Sequence, residues 1–243
     1  MTVPSSIQTL ELDEKGARRL GLAAGLGFSG AVAEIVLPLA FLFLAADFPG
    51  GFFTLSSRLV EVTSVLVLAG AILLLVSLFV YRRSFAALRK VDPRFYVASV
   101  LCILGSIGFL LLLVSAIVAA GNSSSLISCV SGHPSRALSC LASGEPLGAV
   151  TGLLGFLLGW IGGVGIMIGL LLAGNRFRTG PLSGSGIVYG LLLLILVVPL
   201  ASLFVSVPDV AYLLILAPIF GVVGPGLAVA GSLQAIRRLT GGA

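Results

Sequence analysis

The sequence predicts an all-α integral membrane bundle of six transmembrane helices with both termini in the cytoplasm. Three observations predict it. Charged residues make up only 9% of the 243 positions and hydrophobic residues 58%, whereas a soluble domain carries about 25% charge. Mean hydropathy is +1.20, too high for a chain that must cover itself with polar groups. Twelve of the fourteen Lys and Arg residues also fall in segments that would share one face of a membrane.

The apolar runs are 21–46, 59–81, 96–120, 147–173, 185–206 and 211–235. Each holds the roughly twenty residues that a helix needs to cross the hydrocarbon core. Helix is required because lipid offers the backbone no hydrogen-bond partners, and the alternation of a barrel strand is absent. The chain reads as a single domain over 1–243, with 1–20 as an amphipathic lead-in and 121–146 as an external loop. Basic residues set the orientation. Lys15, Arg18 and Arg19 precede the first run. Arg82, Arg83, Arg89, Lys90 and Arg94 follow the second, Arg176 and Arg178 follow the fourth, and Arg237 and Arg238 follow the sixth. The other side carries only Arg58 and Arg136. The positive-inside rule then puts both termini and the 82–95 loop on the cytoplasmic face of the plasma membrane. The lead-in, with Glu11, Asp13 and Glu14, shows no short apolar stretch ending at a cleavage site, so the first run is expected to act as its own insertion signal.

The first run holds the exception to the charge pattern. Glu34 falls near mid-span, and an ionisable group at that depth is a functional candidate by default. Pro38, four residues on, removes the hydrogen bond to the carbonyl of residue 34. Gly27 and Gly30 precede Glu34 on the same helix face. No Lys, Arg or His lies deep in any run, so Glu34 lacks a salt-bridge partner and is expected to rest as the neutral acid. Ser29, Thr63, Ser64 and Ser106 are candidate hydrogen-bond partners. A structural role, gluing two helices, is the other reading of Glu34. Glu61 near the outer end of the second run is explained by an i,i+3 ion pair with Arg58.

In the third run Cys102 reads as a small packing residue. The external loop carries Cys129, His133 and Cys140. A disulfide between Cys129 and Cys140 is the expected outcome in an oxidising compartment. The same three residues form an incomplete zinc signature, since a matched fourth ligand is missing, and no metal site is assigned. Asn122-Ser123-Ser124 is a glycosylation acceptor pattern on the external side.

The fourth run carries Gly148, Gly152, Gly155, Gly159, Gly162 and Gly169 at spacings of three, four or seven, which keep one helix face smooth. Glycine faces let membrane helices approach closely. Packing inside the bundle is the favoured reading, and a homo-oligomer interface is the other. Pro199 is a candidate kink in the fifth run. In the sixth, Gly224-Pro225-Gly226 predicts an interrupted helix near mid-depth, preceded by Pro218, and Pro225 frees the carbonyl of Gly221. Interrupted helices of this kind build ion and substrate sites in several transporters.

Enzyme signatures are missing. Gly27-Phe28-Ser29-Gly30 matches the motif of rhomboid-type intramembrane serine proteases, but the single histidine, His133, falls in the external loop, and that chemistry needs a base beside the serine. There is no paired intramembrane aspartate, metalloprotease motif or phosphate-binding loop. No enzyme activity and no cofactor are expected. The net charge of +5 is dispersed at run ends, which suits lipid headgroups rather than nucleic acid.

The segment from Arg82 to Phe95 reads as a short amphipathic helix on the inner leaflet, with Phe85 and Leu88 inward and a stop at Asp92-Pro93. Arg82, Arg83, Arg89, Lys90 and Arg94 are its expected contacts to anionic lipid headgroups. The pattern Phe85-x-x-Leu88-x-x-Val91-Asp92-x-x-Phe95, after two spans, resembles an archaeal family of small multi-pass membrane proteins catalogued only as a domain of unknown function. The lead-in around Leu10, Gly16 and Leu20 is similar too. The resemblance covers most of the chain and implies a multi-pass fold, without activity or site residues. The cysteine loop departs from that family's short loops.

Two functions follow as expectations. The first is permeation or transport of a small ion or solute, with Glu34 as a protonatable gate and Pro38, Gly224, Pro225 and Gly226 shaping the site. The second is a non-catalytic accessory or membrane-organising subunit packing through the fourth-run glycines.

Overall fold

The computed structural model describes residues 6–36, 52–121, 146–202 and 210–241. Six α-helices occupy them: α1 (Ser6–Ala31), α2 (Phe52–Leu88), α3 (Phe95–Gly121), α4 (Pro146–Phe177), α5 (Gly180–Ser202) and α6 (Val210–Thr240). A π-helical turn, Val32–Val36, extends α1. No strand occurs among the described residues.

Five stretches are long and apolar enough to cross a membrane: Leu68–Leu88, Phe95–Ser115, Val150–Phe177, Gly180–Val197 and Ile219–Thr240. The expected first span is described only as far as Val36. Its described part is continuous with the charged lead-in, because α1 starts at Ser6 and runs unbroken through Arg18 and Arg19. The lead-in and the described part of the first run are therefore one helix rather than two elements.

The helices form a closed ring. Each packs on its sequence neighbour, and α6 returns to pack on α1. Apolar stripes point away from the ring on helix after helix: Leu68, Ile72, Val76 and Phe79 on α2, Ile107, Leu110 and Val114 on α3, Ile187, Leu191 and Leu194 on α5. Spacings of three and four put each stripe on one face. Large apolar side chains exposed around a whole bundle need an apolar solvent. The chain is a polytopic membrane protein.

Among the described residues, a block of fully buried side chains lies at the end that carries Arg19, Arg82, Arg176 and Arg237. Leu20, Tyr81, Phe85, Leu88, Phe95, Cys102, Leu170 and Leu182 are all buried there. At this basic end the segment after the second run corrects its sequence reading. It is no separate helix on the leaflet: α2 continues to Leu88, and Phe85 and Leu88 are 0% exposed inside the bundle. The apolar residues face a protein core that the local pattern could not distinguish from lipid. Arg82, Arg83, Arg89, Lys90 and Arg94 remain exposed around them, and the Arg89 guanidinium lies 4.5 Å from the centre of the Tyr96 ring.

Two short turns close this end. After α2, the Asp92 carboxylate accepts the backbone N–H of Arg94 at 3.0 Å, an Asx turn that restarts the chain as α3. After α4, Arg178 takes a left-handed backbone with φ 51°, and the Thr179 N–H reaches the Gly174 carbonyl at 2.9 Å. That geometry stops a helix, and Pro181 in the first turn of α5 suits the restart.

Candidate functional site

Glu34 sits in the π turn, where the helix is widened by one residue per turn. π turns inside helices concentrate at functional positions. Its seat is Gly70 on α2. A methyl added at Gly70 would lie 2.5 Å from Cγ of Glu34 and 2.9 Å from the Gly30 carbonyl oxygen. A methyl added at Gly30 would in turn lie 3.0 Å from the Gly70 carbonyl oxygen. The two backbones therefore meet glycine to glycine, and the Glu34 stem lies across the notch. Gly70 escaped the sequence reading. Its signal was there: it is the only glycine of α2, flanked by Ala69 and Ala71 in a Leu- and Val-rich helix.

Twelve residues separate Gly70 from Arg82, about 18 Å of helix in a hydrocarbon core of about 30 Å. Glu34 thus sits just past the middle, away from the basic end. Among the described residues no hydrogen bond or ion pair engages its carboxylate. Ser29 is on the exposed face of α1, and Ser106 donates to the Cys102 carbonyl of its own helix at 2.9 Å, so neither is the partner the sequence suggested. The side chains of Arg58, Glu61, Thr63 and Ser64 lie outside the description. Pro38, Cys129, His133 and Cys140 lie outside the described residues altogether.

The Gly224-Pro225-Gly226 segment is a second correction, because α6 runs through it as one continuous helix. Its neighbours hold it. The Ser185 hydroxyl on α5 donates to the Gly224 carbonyl at 2.7 Å, and Tyr189 and Val188 flank Gly224. On the other side Pro225 faces Gly27, and Gly226 faces the Phe28 ring. These contacts pack the segment on both sides; the carbonyl that Pro225 frees is that of Gly221, one turn earlier. So α1 and α6 do touch, but the contact with Pro225 is at Gly27. Glu34 is seven residues further along, about 10 Å away on the axis. The two halves of the expected site are stacked along α1 rather than set face to face.

The fourth-run glycines are placed against α3. Gly105 of α3 and Gly162 of α4 meet so closely that a methyl on Gly105 would lie 2.5 Å from Cα of Gly162. Gly155 faces Gly108 and Leu112, Gly152 faces Ser115, and Gly159 has Leu112 beside it. The Gly148 carbonyl accepts the Ser115 hydroxyl at 2.8 Å. Gly105 and Gly108, the receiving glycines, were not singled out in the sequence because their spacing of three is too short to form a visible strip. Other seams are pinned by single donors to backbone carbonyls. Ser77 reaches Ala23 at 2.8 Å, Ser84 reaches Gly16 at 2.8 Å, and Trp160 Nε1 reaches Leu193 at 3.0 Å.

Side chains cross the ring at the basic end. The Phe85 ring of α2 reaches α4, where a methyl on Gly169 would lie 2.5 Å from its Cε1. Phe85 stands in a ladder with Tyr81 at 5.9 Å and Phe95 at 6.1 Å between ring centres. The buried Tyr81 hydroxyl lies beside that of Tyr189 on α5. Another crossing joins α1 to α4: Arg176 Nε and one terminal nitrogen donate to the two oxygens of Asp13, each at 2.7 Å. In the sequence Arg176 reads as a topology marker and Asp13 only as part of the polar lead-in. A bidentate guanidinium–carboxylate pair has fixed geometry and is among the strongest polar contacts a protein makes.

The described residues hold no cluster of metal-ligating side chains. Chemically the arrangement offers one unpartnered carboxyl group deep in an apolar bundle, and a centre filled by aromatic rings on the basic side of it. No family model, curated protein or solved structure matches the chain.

Proposed function

We propose that the protein passes a small ion or solute across the cytoplasmic membrane, with Glu34 as the group that takes and releases a proton. In this reading the basic end faces the cytoplasm, the first span completes a six-helix domain, and the bundle is closed on its cytoplasmic side. Phe85 on Gly169 and Asp13 with Arg176 form that closure. The observation that carries the reading is Glu34 itself: a carboxyl group in a π turn, seated on Gly70, past mid-membrane and without a described polar partner. A purely structural glutamate would be expected to spend its hydrogen-bonding capacity on the neighbouring helix, since that is how polar side chains join membrane helices. Ser77, Ser84, Ser115 and Ser185 do so here.

The accessory-subunit reading relied on the glycines of α4, which face α3 of the same chain. The test is proton flux into proteoliposomes carrying an internal pH dye, with wild type and Glu34→Gln side by side. Flux in the wild type that falls at least tenfold in Glu34→Gln supports the gate. Equal flux in the two, or none above empty vesicles in either, removes it.

A further inference from the structure

A cavity of about 350 Å³ opens at the basic end, between α1, α4 and α6. Its wall is divided by chemistry. Phe177, Ala235 and Leu239 are its apolar lining residues, and Arg176, Arg178 and Arg238 its basic ones. Asp13 is the single acidic lining residue, already committed to Arg176 through both oxygens. That pairing cancels one positive charge and leaves two.

The remaining two cations are placed differently. Arg238 donates one terminal nitrogen to the carbonyls of Phe177 and Arg178, which ties it to the end of α4. A guanidinium carries five N–H donors, so this anchoring leaves others for a ligand. Arg178 is exposed, and its side chain makes no hydrogen bond among the described residues. Its backbone is left-handed, φ 51°, at a helix stop where glycine is the residue without strain.

We infer that this cavity binds a phosphate group, at the level where a lipid headgroup or a soluble phosphate ester would meet the bundle. A tetrahedral phosphate presents acceptors in several directions and can engage converging guanidinium forks, which favour phosphate over a point charge. A planar carboxylate would satisfy one fork and leave the other. The apolar lining suits the carbon part of an ester, and the volume is at the lower end of small-molecule sites. The site is separate from the exposed Arg82, Arg83, Arg89, Lys90 and Arg94, and it does not depend on any transport role for Glu34.

The test uses the full chain in neutral maltoside micelles, titrated calorimetrically with two probes. Glycerol 3-phosphate represents a soluble ester, and dihexanoyl phosphatidylglycerol represents a lipid headgroup. The expected result is saturable binding of at least one probe at one per chain, weakened about tenfold in Arg178→Gly by loss of a charge-assisted contact. Glycine fits the left-handed backbone there, and Arg178→Asn, also tolerant of positive φ, serves if the first variant does not fold. The probe that binds more tightly identifies the source of the phosphate. A double variant, Lys15→Ala with Arg237→Ala, removes two exposed charges outside the cavity and should leave binding within twofold. Absence of saturable binding, no change in both Arg178 variants, or an equal loss in the Lys15/Arg237 variant overturns the inference.

Discussion

Asp13 and Arg176, 163 positions apart, meet through two parallel hydrogen bonds of 2.7 Å across the helical ring. They join helices that are not neighbours in that ring. The pair is three-quarters or more buried, with side chains 14% and 25% exposed, so it is screened much less than a surface ion pair. Replacing Asp13→Asn keeps the shape and removes the charge. The expected cost is about 1–3 kcal/mol, because the Arg176 guanidinium loses its charged partner. Thermal unfolding in detergent measures it. If the pair also holds the bundle shut, the same variant raises proton flux in proteoliposomes above wild type.

Gly70 makes a sharper test of the Glu34 seat than Glu34 itself. Gly70→Ala should be destabilising by about 1–3 kcal/mol, since the added methyl meets Glu34 Cγ and the Gly30 backbone and neither can move freely. Gly25→Ala is the matched control. Nothing lies within 4 Å of a methyl there, and in a helix interior the change should stabilise by about 0.5–1 kcal/mol. Opposite signs for the two variants in one unfolding assay are the expected outcome, and two equal shifts would contradict the seat.

Phe85→Ala empties the space between Tyr81, Phe95 and Gly169. Large-to-small changes of this kind cost about 3–5 kcal/mol. If the ring plugs the bundle centre, the variant should also leak in flux assays with Glu34 intact. Glu34→Gln and Phe85→Ala then separate two functions, proton handling and closure.

Gly162→Val should part α3 from α4, because the glycine pair leaves no room for a side chain. The expected result is loss of a monodisperse species on gel filtration. Chemical crosslinking of the wild type in membranes is expected to show no dimer dependent on Gly155 or Gly159, as both glycines turn toward α3.

Much of this arrangement was legible in the sequence, and the limits are physical. Apolar run length called for six spans, and five crossing stretches are found among the described residues, since a bilayer demands length and hydropathy together. Glycine spacing picked out the α4 face because a period of three to four is a one-helix property. Properties of two helices were not legible. Gly70 mattered only once α1 lay against it, and Asp13 only once Arg176 came within reach. Phe85 and Leu88 show the reverse failure. An amphipathic pattern reports that one face is apolar and not what covers it, so a core face was read as a lipid face. The Gly224-Pro225-Gly226 segment was over-read for a related reason. Local residues signal a weak helix, but Ser185, Gly27 and Phe28, which support it, come from other helices.

The return of α6 to α1 has a consequence for biogenesis. A chain made from its N-terminus inserts α1 before α6, so the small-residue face of α1 waits for its partner while α2 to α5 are made. Gly21 receives Ser232, and Gly27 receives Pro225, only when α6 arrives. Until then that face is open to lipid or to any other helix with a smooth surface. Truncation before α6 therefore leaves a chain that is inserted but unsealed, a substrate for quality-control proteolysis rather than a smaller working protein.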